Sequence, residues 1–179
     1  MNHAQKLKDY ASLLLHWNKT HNLSGAKTVQ EVEENIADCL YPMHFISAFK
    51  SAIDIGSGAG FPAIPLAIQN PQSLFFLTEP RKKRASFLQM LKIELELENI
   101  ELFPCILQEA PIPQKVDLIT SRAVAPTPLL IQISQAFLLD GGAFLFYKGS
   151  KLLEEGEKIG DNEIFTSPKS RIYFYRRKI

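Results

Sequence analysis

From residue 4 to 18 there are apolar positions at Leu7, Tyr10, Ala11, Leu14 and Trp17 that share one stripe of a helix. The spacing predicts a second helix over 28–39 and a further short segment before residue 50. Beyond residue 50 the pattern changes. Short apolar runs suited to strands fall at 51–55, 73–78, 101–106, 116–120, 142–147, 162–166 and 171–175. Helix-length segments fall at 62–69, 81–97 and 127–138. In the middle one, Phe87, Leu88, Leu91 and Leu95 share a face, while Lys92, Glu94, Glu96 and Glu98 occupy the others. Helices among the first five strands, then a helix-poor end, predict an α/β fold whose open sheet is closed by an antiparallel hairpin. Residues 1–45 read as an N-terminal helical extension and residues 46–179 as the α/β domain.

A chain of 179 residues with 46% hydrophobic and 22% charged positions suits one soluble domain with a real core. Net charge is +1, so the bulk balance neither demands nor excludes a nucleic-acid partner. The distribution is uneven: Arg81, Lys82, Lys83 and Arg84 form an unbroken basic run, and Lys169, Arg171, Arg176, Arg177 and Lys178 crowd the end. Cys39 and Cys105 are far apart, which argues against a disulfide framework or a zinc site. The start carries Lys6, Lys8 and Asp9 with no apolar core of a leader, and no run is long enough to span a membrane. A cytoplasmic, monomeric protein without metal is expected.

The candidate chemistry begins after the first strand, where Gly56-Ser57-Gly58-Ala59-Gly60 follows Ile55 at once. A glycine-rich turn from strand to helix lets the backbone approach a ligand closely. The dinucleotide fingerprint needs a glycine or another small residue at position 61, which is Phe61. The third glycine comes at Gly60, a spacing typical of S-adenosylmethionine (SAM) sites. Pro62 and Pro65 place the helix start directly after the glycines, since proline is tolerated only in a first turn. Glu79 ends the second strand, about twenty residues on, where an acid can accept hydrogen bonds from ribose hydroxyls. As glutamate is a weak N-cap, its carboxylate is expected to be open to a ligand.

The basic run opens a helix, where the dipole disfavours cations by roughly 0.3–1 kcal/mol each. RNA phosphate would offset that cost, and a solvated helix face explains the run equally well. Arg122 follows the fourth strand and Lys148 the fifth, at the carboxyl ends where open α/β sheets bind ligands. Arg122 suits either the SAM carboxylate or an RNA phosphate, and Lys148 suits RNA. No nucleophile, triad or metal-ligand cluster stands out, and His3, His16, His21 and His44 all lie in the helical extension. A methyl acceptor whose lone pair carries no proton would need no base.

Several segments together resemble the RsmG (GidB) family of bacterial 16S rRNA guanine-N7 methyltransferases. Trp17-Asn-Lys-Thr-His-Asn-Leu-Ser24 is similar to its N-terminal motif, and Ile53 to Leu66 to its glycine loop with both prolines. Lys83-Arg84 before Phe87-Leu88 and Ser121-Arg122-Ala123 match two further stretches, and the resemblance runs from Trp17 to Gly149. It implies a class I SAM-dependent methyltransferase, Rossmann-like, with a seven-stranded mostly parallel sheet and the helical extension. It implies SAM as cofactor and 16S rRNA of the small ribosomal subunit as partner. Gly56, Gly58, Phe61, Glu79, Leu107, Gln108 and Arg122 are the implied cofactor contacts, and Arg81, Lys82, Lys83, Arg84 and Lys148 the candidate RNA contacts. The chain departs from the family pattern at Glu34-Asn35, usually Arg-His, at Ala63, usually Gly, at Gln108, often Glu, and at Glu79, normally Asp. The competing readings are a SAM enzyme acting on a small molecule or protein, a nicotinamide oxidoreductase, disfavoured by Phe61 and Pro65, and an RNA-binding module without activity.

Overall fold

In the computed structural model, which describes residues 2–149, 152 and 159–178, the apolar runs assemble into one seven-stranded sheet. The strands are β1 (Ser51–Ile55), β2 (Leu74–Thr78), β3 (Ile100–Phe103), β4 (Val116–Arg122), β5 (Leu138–Lys148), β6 (Ile164–Thr166) and β7 (Ile172–Arg177). Their order is β3-β2-β1-β4-β5-β7-β6. The first five are parallel, and β7 runs antiparallel between β5 and β6, as the helix-poor end predicts. Every residue of β1 is buried, as befits a central parallel strand covered on both faces.

The helices are α1 (His3–His21), α2 (Val29–Leu40), α3 (Ala63–Gln69), α4 (Lys82–Glu94) and α5 (Thr127–Ser134). Strand alternation splits the core in two. Ala52, Phe75, Leu77, Leu118 and Leu145 point to one face, packed with α1 to α4. Ile53, Ile55, Phe76, Ile119 and Phe144 point to the other, with Leu130 of α5. The stripe read on the first helix packs inward, with Tyr10, Ala11 and Leu14 in the same cluster as Ala63, Leu66 and Ala67 of α3. The helical extension therefore shares its core with the sheet.

Boundaries move where local chemistry intervenes. The third strand stops at Phe103 because Pro104 has no N–H for the ladder. The helix expected to Leu97 ends at Glu94, since Glu96 turns left-handed at φ 50° and the Leu97 N–H closes back on the Lys92 carbonyl at 2.9 Å. The helix expected over 127–138 ends at Ser134, and β5 begins at Leu138 rather than 142. There a β-carbon on Gly142 would lie 2.9 Å from the Asp117 carbonyl oxygen, and the β4–β5 register slips between Val116 and Leu118.

Candidate functional site

The loop leaving β1 is held in a conformation that few sequences could adopt. Gly56, Gly58 and Gly60 have φ of 67°, 58° and 96°. A β-carbon would meet Ile64 Cγ1 at 2.6 Å if placed on Gly60 and Val124 Cγ2 at 2.8 Å if placed on Gly56. Pro62 caps α3 and Pro65 lies in its first turn, as the sequence predicts. Two side chains pin the loop from opposite sides. The Gly58 N–H donates to Glu79 Oε2 at 2.8 Å, and the buried Tyr10 hydroxyl of α1 donates to the Ala59 carbonyl at 2.8 Å.

Glu79 corrects the expectation of an open carboxylate. Its other oxygen accepts the Arg81 N–H at 2.9 Å, and the residue is 2% exposed. The residue at the N-cap of α4 is Arg81, which makes no side-chain cap hydrogen bond. Glu79 satisfies the helix end from two residues outside it. A carboxylate has about four acceptor positions, so each oxygen keeps capacity for one more donor. Glu79 still lines a cleft of about 410 Å³. Gly56, Leu107 and Gln108 line the same cleft; Leu107 is anchored in the core and Gln108 is exposed. Around it Ile106, Val124 and Leu129 are 44%, 46% and 46% exposed, an unusual share of open apolar surface for one cleft. Such a slot accepts a flat ring, with hydrogen-bond acceptors at the Glu79 end.

A second space of about 320 Å³ shares Gly56, Arg84 and Val124 with the first and extends to Gly58, Phe61 and Arg122. Arg122, the last residue of β4, stacks its guanidinium over the Phe61 ring at 5.2 Å. Its Nη2 donates to Asn35 Oδ1 of α2, and Nη1 approaches the buried Cys39 sulfur at 3.6 Å. Ala123 then turns left-handed at φ 55°, a conformation alanine rarely adopts and one that clusters at functional sites. The far wall is Leu23, Ser24 and Gly25. That wall explains the Trp17–Ser24 motif. Asn18 donates to Ser24 Oγ and the Ala26 carbonyl and accepts from the Leu23 and Ser24 N–H groups, all at 2.9–3.0 Å. Trp17 packs on Phe87 at 5.3 Å between centroids.

Asp54 is hidden in the sequence by the apolar run 51–55 around it, although a carboxylate inside such a run is itself a signal. It is 1% exposed beneath the loop, and Thr120 Oγ1 donates to its Oδ1 at 2.6 Å. Its Oδ2 is the buried side-chain oxygen without a partner among the described residues. Burial pushes the carboxyl up to about 7, against the pull of its hydrogen bond from Thr120.

The basic candidates divide. Arg81 and Arg84 line the first cleft, Arg84 both spaces, while Lys82 and Lys83 are exposed. Lys148 is not an exposed contact beyond the strand. β5 runs one residue longer than the spacing predicts, so Lys148 is its buried last residue, and its ammonium donates to the Ala125 carbonyl at 3.1 Å. Among the described residues no histidine lines either space. No metal-binding cluster occurs among the described residues, and no described helix is long and apolar enough to cross a membrane.

Residues 3–175 match the family model GidB, described as rRNA small subunit methyltransferase G. A curated ribosomal RNA small subunit methyltransferase G from Helicobacter acinonychis (strain Sheeba) is 56% identical over 172 residues, covering 96% of each chain. Among solved structures, a ribosomal protein L11 methylase from Lactobacillus delbrueckii subsp. bulgaricus superposes with TM-score 0.62 at 15% identity, over 87% of this chain and 81% of the other. A coclaurine N-methyltransferase bound to N-methylheliamine and SAH gives TM-score 0.56 at 16% identity, over 69% and 38%. At such identities the solved structures speak to the fold, which is that of the class I methyltransferases.

Proposed function

The chain belongs to the GidB family of rRNA small subunit methyltransferase G, and from that premise we propose that it moves the methyl group of S-adenosylmethionine to N7 of a guanine in 16S rRNA. The observation that carries the cofactor half is the paired space around Gly56: an apolar slot ending in Glu79, joined to a polar compartment ending in Arg122.

The residues fit the cofactor in parts. Ile106, Val124 and Leu129 would clasp the adenine, and the spare lone pairs of Glu79 would accept the ribose hydroxyls. Gly56 would let the backbone come close, and Leu107 and Gln108 would close the slot. Arg122 would meet the amino-acid carboxylate, beside Gly58 and Phe61. The unpartnered oxygen of Asp54 suits an ammonium. Bound there, the cofactor supplies a methyl group on a positively charged sulfur. The acceptor N7 lone pair carries no proton, so no side chain of this chain would have to remove one during the transfer. A site without a histidine base is adequate for that reaction, and holding the acceptor in line is the main task of the protein.

The test is incubation with methyl-labelled SAM and unmodified 16S rRNA, followed by mapping of the label. Label on one guanine N7 is expected. Label on another atom, on protein, or nowhere in the RNA would sink the reading.

A further inference from the structure

A third cleft, of about 450 Å³, opens where β4 and β5 end and shares Arg122, Ala123 and Val124 with the polar compartment. Among the described residues, three cationic side chains line it, Arg122, Lys148 and Arg171, and no acidic one does. Arg171 stands just before β7 and reaches this place only through the fold. Behind the two arginines lies α2. Asn35 and Asp38, three apart and therefore on one helix face, present Oδ1 to Arg122 and Oδ2 to Arg171.

The manner of holding matters. Arg171 gives Nε at 3.0 Å and Nη2 at 2.9 Å to the same Asp38 oxygen. Its side chain is still 36% exposed, whereas that of Asp38 is 14% exposed. The carboxylate thus fixes one edge of the guanidinium from behind and leaves the group open on the cleft side. Arg122, assigned above to the cofactor carboxylate, is held likewise by neutral partners, Asn35 and the Cys39 sulfur, so the phosphate contact falls to Arg171. A guanidinium fork matches phosphate oxygens, and one held in advance by a helix loses little freedom when an anion arrives.

We propose that this cleft seats a backbone phosphate of the RNA strand beside the methylated base, with Arg171 as a phosphate contact and Asn35 and Asp38 as positioning residues. The proposal rests on the rRNA-methylating reading, because an acceptor base in the neighbouring compartment brings its flanking phosphates within reach.

The experiment measures binding of an unmodified 16S rRNA transcript over a salt series, for the full chain and for Arg171→Gln and Arg171→Lys. Glutamine keeps a hydrogen bond to Asp38 without the charge; lysine keeps the charge without the fork. Arg171→Gln should bind RNA about tenfold more weakly, with a salt slope smaller by about one, and should bind SAM as the parent does. Arg171→Lys should recover the slope and part of the affinity. Unchanged RNA affinity and slope in the glutamine variant overturn the proposal. So does an equal loss in both variants, which would mean that only the ion-pair geometry counts. If the parent chain leaves no label on a guanine N7, the underlying reading fails; if it labels normally while Arg171→Gln binds normally, only the phosphate seat fails.

Discussion

Asp54 carries a buried, unpartnered oxygen directly beneath the glycine loop, and burial holds its carboxyl at about 7 against an ordinary 3.8. The folded state therefore keeps a proton that the unfolded state loses as pH rises through 3.8. Stability from this group is highest at acid pH, falls as pH rises towards 7, and is level above it. Asp54→Asn should remove that fall, leaving the variant more stable than the parent at pH 7.5 by roughly 2–4 kcal/mol before any loss from altered hydrogen bonding. Urea unfolding at pH 5 and 7.5 measures it; parallel pH slopes in the two proteins would refute the assignment. An ammonium beside Oδ2 favours the ionised carboxyl. SAM affinity should accordingly rise from pH 5.5 to 7.5 in the parent and stay flat in the variant. Of the residues around it, Gly56, Gly58 and Arg122 were legible from spacing and strand ends. Glu79 was legible as an acid at the cleft but not as the clamp on Gly58, because that contact depends on how β2 and the loop approach each other.

At the scale of elements, α4 is the clearest case of local preference set against another demand. It begins with Arg81, Lys82, Lys83 and Arg84, has no acid in its first turn and no side-chain cap of its own. Arg81 and Arg84 line the first cleft, the one proposed for the cofactor, so only the exposed Lys82 and Lys83 test an RNA role cleanly. Lys82→Glu/Lys83→Glu should raise stability by about 0.5–2 kcal/mol through the helix dipole while weakening RNA binding several-fold. Thermal melts and an RNA titration read the two effects, and gain of stability without loss of binding would make the run a solvated face. The elements themselves were largely legible, because apolar periodicity reports which face is buried. Their ends were less so. Glu96 takes a left-handed conformation that no glycine announces, and β5 starts four residues early across a bulge made possible by Gly142.

For the whole molecule, the helical extension is part of the site. Tyr10 reaches the glycine loop, Asn35 reaches Arg122, and Tyr147 of β5 donates to the Cys39 carbonyl at 2.7 Å. Tyr10, Ala11, Leu14, Val32 and Ile36 lie in the same cluster as the strand residues beneath them. Removing residues 1–45 would uncover that face, at about 25 cal/mol per Å² of apolar surface returned to water, and large fully buried groups such as Tyr10 and Leu14 are lost with it. The remaining 46–179 should not fold cooperatively or bind SAM. A soluble fragment with a sharp melting transition would show the extension to be a separable domain.

What the sequence alone determined was local or periodic: the strand–glycine–helix turn, the preference for SAM over a dinucleotide in Gly60, Phe61 and Pro65, and the alternation that demands a mostly parallel sheet. These are written in neighbours along the chain, where steric limits on φ and the burial of one face act directly. What only the tertiary structure decided was partnership. Arg171 meets Asp38 across 133 residues, Arg122 meets Asn35 across 87, and Tyr10 meets Ala59 across 49. Periodicity states that a side chain turns inward but not whom it meets there, since the stacking of helices on the sheet, set by the whole core, chooses the partner.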